Sequence, residues 1–125
     1  QEMVSGIEVI IGARDDALYG PMLLIGSGGV LVELLNDAAL VMLPIDQATL
    51  SKRMDGLKLN QLLSGYRGRP PADRAALEKL ALQLAAFYLK HRSRINDIEI
   101  NPLMVRDQGR GAVAVDVRVI WRDPA

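Results

Sequence analysis

Apolar and polar positions along the chain divide it into a strand-rich first third, a helical middle and a strand-rich end. Residues 7–13, IEVIIGA, are rich in β-branched side chains and predict a strand. RDDALYGP (14–21) follows as a connection, with Gly20 and Pro21 as breakers. MLLIG (22–26) is a second, short strand ended by SGG (27–29), and VLVELL (30–35) and ALVMLPI (39–45) predict two more around the turn residues Asn36 and Asp37. Four strands at turn spacing imply an antiparallel sheet. After Pro44 the period changes. DQATLSKRM (46–54) and LKLNQLLSG (57–65) suit two short helices, closed by Gly56 and Gly65. YRGRPP (66–71) is a loop by composition, and a longer helix spans about 73–91, where Leu77, Leu80, Ala81, Leu84, Phe87 and Tyr88 recur at helical spacing. Asp73 near its start and Lys90, His91 and Arg92 near its end suit the helix dipole. Residues 97–120 return to β as a hairpin. The expected class is α+β, a mostly antiparallel sheet packed by helices, with residues 1–125 as a single domain.

Composition narrows the chemistry. The chain has 125 residues, half of them hydrophobic, enough for one compact core. Fifteen basic and fifteen acidic residues balance, so nothing argues for a nucleic-acid surface or a membrane partner. No cysteine is present, which removes disulfides, thiolate metal sites and a cysteine nucleophile, and the one histidine forms no pair with another. With no secretory leader and no long apolar run, a cytoplasmic protein is the expectation. The chain starts at Gln1, and QEMVSGIEVIIGA already reads as folded structure, so a piece of a longer polypeptide is expected.

The hairpin carries the candidate chemistry. By strand parity Ile98, Ile100, Pro102 and Met104 share one face and Glu99, Asn101, Leu103 and Val105 the other. On the return strand Val113, Val115, Val117 and Val119 oppose Ala112, Ala114, Asp116 and Arg118. If DQGR (107–110) is a four-residue loop, Arg106 faces Gly111, and counting inward pairs Asn101 with Asp116, with Glu99 two positions along and Ala112 and Ala114 leaving room beside them. Directly opposed residues have Cβ atoms about 5 Å apart. A carboxylate, an amide oxygen and a second carboxylate then share one patch, a donor set that suits a hard cation such as Mg²⁺. The pairing depends on register, because a one-residue slip moves Asp116 to the other face. By spacing alone, an ordinary solvated strand face is the commoner explanation of such residues.

Four pieces in order span nearly the whole chain: QEMVSGIEVIIGARDDALYGPMLLIGSGGVLVELL, LLSGYRGRPP, IEINPLMV and GAVAVDVRV. Together they resemble the C-terminal part of the ATP-grasp domain of NDP-forming acyl-CoA synthetases, relatives of the succinyl-CoA synthetase β subunit. The resemblance implies an ATP-grasp C-terminal subdomain that binds ATP or ADP with Mg²⁺. It implies that Asn101 and Asp116 are the Mg²⁺ ligands and that Glu99 faces the phosphate-transfer centre as a catalytic residue. Glu8 is implied to contact the ribose, and Gln1, Glu2 and Met3 to form the hinge whose backbone meets the adenine. GSGG (26–29) is a glycine-rich turn but no P-loop, since no Lys-Ser/Thr follows and a strand comes next.

The family's nucleotide-binding lysine, its phosphate loop and its phosphohistidine-bearing CoA-binding domain have no counterpart among these residues. The implied partners are therefore the remainder of the ATP-grasp domain and a CoA-binding, phosphohistidine domain or subunit, with acyl-CoA as substrate. The implied whole protein is an acid–thiol ligase, and this piece alone is expected to be inactive. His91, at a predicted helix end, is no substitute for the phosphohistidine. Asp15 and Asp16 read as turn residues, Arg67 and Arg69 as loop arginines that face phosphate, CoA or solvent, and Trp121 as packing an edge. A second reading of the same pattern is a non-catalytic synthetase-like regulatory module of a protein lysine acetyltransferase.

Overall fold

A computed structural model of the chain describes residues 6–28, 37–65 and 68–123. The predicted strand at 30–35 and the hinge residues Gln1, Glu2 and Met3 lie outside the described residues. Three strands open the fold: β1 (Ile7–Asp16), β2 (Gly20–Ser27) and β3 (Ala38–Met42). Among the described residues three helices follow, α1 (Gln47–Asp55), α2 (Leu59–Leu63) and α3 (Arg74–His91). The chain then returns to the sheet as β4 (Ile95–Val105), β5 (Ala112–Ala114) and β6 (Val117–Trp121). The sheet order is β3-β2-β1-β4-β5, with β6 also on β4, and every pairing is antiparallel.

The connection expected over residues 14–21 is mostly strand. Only Ala17, Leu18 and Tyr19 turn, because the Asp16 carboxylate accepts the amides of Leu18 (2.8 Å) and Tyr19 (3.0 Å) and closes the hairpin within three residues. Those amides, Leu18 first, hold the Asp16 carboxyl below its ordinary value.

Alternation gives the sheet two unlike faces. Val9, Ile11 and Ala13 of β1, Leu23 and Ile25 of β2, and Ala39 and Val41 of β3 are buried beneath the helices. They meet Leu50 and Met54 of α1, Leu59 and Leu63 of α2, and Leu77, Ala81, Leu84, Ala85 and Tyr88 of α3 in one core. Each buried Val, Leu, Ile or Met among them contributes roughly 1.5–3 kcal/mol of transfer free energy, the alanines less. The buried α3 residues recur at i, i+4, i+7, i+8 and i+11 from Leu77. Phe87 departs from the expected stripe: it is 46% exposed on the helix flank and lies against His91, ring centroids 4.5 Å apart. Asp46 and Asp73 are the N-caps of α1 and α3, accepting the amides of Thr49 (2.8 Å) and Ala76 (3.2 Å).

Among the described residues no helix covers the opposite face. It presents Leu40 at 45% and Met42 at 59% exposure, together with the polar residues described below. Among the described residues no helix is long and apolar enough to cross a membrane.

Candidate functional site

The hairpin β4–β5–β6 has the register expected from its loop. The Arg106 amide donates to the Gly111 carbonyl at 2.9 Å, and Val105, Met104 and Leu103 face Ala112, Val113 and Ala114. Beyond them the Asn101 amide donates to the Asp116 carbonyl at 3.0 Å, so the two candidate metal ligands are cross-strand neighbours. The same count continues through β6, where Ile100 faces Val117, Glu99 faces Arg118 and Ile98 faces Val119.

The faces differ from simple parity. Glu99, Asn101, Leu103 and Val105 do not share a side: Leu103 and Val105 are fully buried in the core that also holds Ile98. The cause is a shift of register between β4 and β1. Val9 faces Leu103 but Ile11 faces Ile100, so Asn101 and Pro102 together span the place of Ile10. Ile98 and Ile100 therefore face the core just before the shift, and Leu103 and Val105 after it. The return strand breaks at the same level, between β5 and β6, at Val115 and Asp116. Val115 and Val117 are consequently 54% and 50% exposed rather than core, and Ala112 packs against the core instead of flanking the patch. Trp121, at the end of β6, pairs with Ile95 and is 61% exposed.

Asn101 and Asp116 thus sit where two strands are irregular side by side. Bulges re-aim side chains and recur beside functional sites. Asn101 is half-buried and Asp116 exposed, each offering side-chain oxygen chemistry at one point of the hairpin. Among the described residues no three histidine, cysteine, aspartate or glutamate side chains converge as a self-sufficient cation cage. An amide oxygen and one carboxylate fit Mg²⁺, which fills its remaining positions with phosphate oxygens and water.

Glu99 lies on the helix-free side, opposite Gly12 of β1 and Arg118 of β6, whose guanidinium is 3.7 Å from its carboxylate. The register arithmetic that pairs Asn101 with Asp116 also puts Arg118 opposite Glu99, a pairing no short motif flags. Glu99, Arg118, Asp97 and Arg14 line a shallow groove with Met22, Leu24 and Leu40. Gly12 forms part of its floor, where a Cβ would come within 3.2 Å of the Ile98 carbonyl.

Glu8 is exposed on β1, opposite Met104, and alternation with buried Val9 and Ile11 puts it on the helix-free side. Of the glycine-rich stretch 26–29, Gly26 and Ser27 belong to β2 and Gly29 lies outside the described residues; the Gly28 amide donates to the Glu8 carbonyl at 3.0 Å. A Cβ at Gly28 would lie 3.2 Å from that of Glu8, so a larger residue would crowd the strand here. The structure therefore brings Glu8, Glu99, Asn101 and Asp116 onto β1 and the adjoining hairpin, while Asp15 lies at the far end of β1 and His91 at the end of α3. Asp15 pairs with Arg92 at 2.8 Å and with Arg122, tying the ends of β1, α3 and β6. Tyr88 donates to the Asn96 carbonyl at 3.1 Å beside this cluster, and burial, reinforced by Asp15, raises its phenol above the ordinary value.

Known proteins share the fold of this chain over nearly its whole length. Residues 1–120 match the ATP-grasp domain family. The β subunit of ADP-forming acetate–CoA ligase II from Pyrococcus furiosus is 35% identical over 117 residues, covering 94% of this chain and 50% of that protein. The solved structure of PH1788 from Pyrococcus horikoshii superposes with a TM-score of 0.90 at 31% identity, over 98% of this chain and 52% of that one. A dinucleotide-forming acetyl-coenzyme A synthetase from Ca. Korarchaeum cryptofilum superposes with a TM-score of 0.85 at 32% identity, over 96% of this chain and 55% of that one. That structure holds coenzyme A and Mg-AMPPCP, with a phosphohistidine segment pointing towards the nucleotide site. The chain spans about half the length of each of these relatives. With 120 of its 125 residues matched and its sheet superposed on theirs, the chain belongs to the ATP-grasp family.

Proposed function

We propose that this chain is the nucleotide- and Mg²⁺-binding portion of an ADP-forming acyl-CoA synthetase, a protein that interconverts acyl-CoA, ADP and phosphate with free acid, CoA and ATP. The observation that carries the reading is the pairing of Asn101 with Asp116 at the break of the hairpin, held by a 3.0 Å backbone hydrogen bond. In this reading Asn101 and Asp116 hold Mg²⁺ against the nucleotide phosphates, and the cation supplies charge neutralisation there. Glu99 faces the phosphate-transfer centre, its carboxylate oriented by Arg118. Glu8 contacts the ribose, and Gln1, Glu2 and Met3 form the adenine hinge. Fixed groups of this kind position phosphates without reorganising during transfer.

The remaining ATP-grasp residues and a CoA-binding, phosphohistidine domain or subunit complete the enzyme. The coenzyme A and phosphohistidine segment of the Korarchaeum enzyme support that division of labour. The ligase and synthetase names of the relatives favour a catalytic over a regulatory module. A cytoplasmic location is compatible with acyl-CoA and nucleotide substrates. In the full-length protein, Asp116→Ala is expected to lower Mg²⁺-dependent ATP formation from acyl-CoA, ADP and phosphate by roughly a hundredfold. Unchanged ATP formation would refute the assignment of Asp116.

A further inference from the structure

The turn of the metal-bearing hairpin does not stand free; a single carboxylate fastens it to a helix. Asp73 caps α3, its Oδ1 accepting the Ala76 amide at 3.2 Å. Its Oδ2 reaches the hairpin turn and accepts the amides of Gly109 (3.2 Å) and Gly111 (2.7 Å). The backbone is joined at the same place. The Asp73 amide donates to the Arg106 carbonyl at 2.7 Å, the Gln108 amide to the Pro71 carbonyl at 2.8 Å, and Ala72 bridges Asp107. Gly109 and Gly111 have φ of +85° and +78°, conformations that leave their amides free to converge on one acceptor.

Hairpin register is set by its turn, and a one-residue slip reverses every side chain beyond it. From Arg106–Gly111 the ladder runs through Leu103–Ala114 to Asn101–Asp116, where both strands are irregular and pairing alone constrains them least. We infer that Asp73 is a positioning residue for the metal-binding pair: by anchoring the Gly109–Gly111 turn to the start of α3, it holds the register that sets Asp116 opposite Asn101. This rests on the proposed role of that pair and adds a residue outside the site to it. Asp73 is half-buried and reaches the site only through the turn.

Two functions meet in one carboxylate, and Asp73→Asn separates them. The amide oxygen still caps the helix, whereas its amino group faces two N–H donors and cannot accept from the turn. Asp46, which caps α1 in the same way without touching the hairpin, serves as control. The experiment is calorimetric binding of ADP to the full-length protein over a Mg²⁺ titration, with thermal midpoints measured alongside. Asp73→Asn and Asp73→Ala are both expected to raise the half-saturating Mg²⁺ concentration about tenfold, at the lower end of the effect of groups that orient metal ligands. Asp46→Ala is expected to lower the thermal midpoint while leaving the Mg²⁺ dependence within about twofold of the wild type, as capping loss alone predicts. If Asp73→Asn also stays within twofold, the positioning role is wrong and Asp73 is a cap. Asp116→Ala in the same titration separates the two ideas, since its failure to weaken Mg²⁺ dependence would overturn the metal assignment itself.

Discussion

Asp37 shows how much one side chain can organise in this chain. It is 5% exposed, and its carboxylate accepts the amides of Lys58 (2.7 Å) and Leu59 (2.8 Å) and the Ser27 hydroxyl (2.7 Å). It thereby caps the start of α2 and fixes the end of β2, one residue from the Gly28–Glu8 contact. Replacing it by alanine leaves three donors short of an acceptor, and Asp37→Ala is expected to destabilise the fold by about 2–3 kcal/mol, read as an earlier denaturant midpoint. An equal midpoint would show that water replaces the carboxylate without cost. The sequence marks Asn36 and Asp37 as turn formers, but a cap delivered to a helix twenty-one residues later has no local signature. Asp15 and Asp16 illustrate the same divide: the turn made by Asp16 is readable from the residues beside it, and the pairing of Asp15 with Arg122 is not.

At the level of elements, the three helices are coupled by Arg74. Its guanidinium meets Glu78 at 2.8 Å, Asp55 at 2.8 Å, the Asn60 amide oxygen at 2.7 Å and the Ser51 carbonyl at 2.8 Å. Desolvation works against its charge, yet its acidic partners Glu78 and Asp55 outweigh that and raise its pKa overall. Glu78 is 5% exposed, so removing the arginine strands a buried carboxylate. Arg74→Met is expected to cost about 3 kcal/mol at neutral pH, and adding Glu78→Gln to it should recover part of the loss in a double-mutant cycle. Full additivity of the two substitutions would contradict the coupling. Helix limits were legible in part, because acidic starts and glycine stops are local signals: Asp73 and Gly56 sit at the start of α3 and the end of α1, whereas α2 spans only Leu59–Leu63 of the expected 57–65 and ends at Ser64 rather than Gly65. The hairpin register was legible for the same reason, since loop length decides it. Its faces were not: the shift at Asn101 and Pro102 arises from pairing with β1, which parity within β4 cannot register.

On the scale of the whole molecule, the helices among the described residues cover one side of the sheet and leave Glu8, Glu99, Arg118, Leu40 and Met42 on the other. The candidate residues come from both ends of the sequence and meet only because β4 lies beside β1. No spacing rule links Glu8 to Asp116; the resemblance spread over the entire chain was what connected them before any fold was in view. The account's central claim is that this helix-free side binds a nucleotide together with Mg²⁺ held by Asn101 and Asp116. Calorimetric titration of ADP into the full-length protein, with and without Mg²⁺, tests it most directly. Mg²⁺ is expected to tighten ADP binding in the wild type, and Asp116→Ala to abolish the tightening while leaving metal-free ADP binding in place. Equal Mg²⁺ enhancement in both proteins would contradict it.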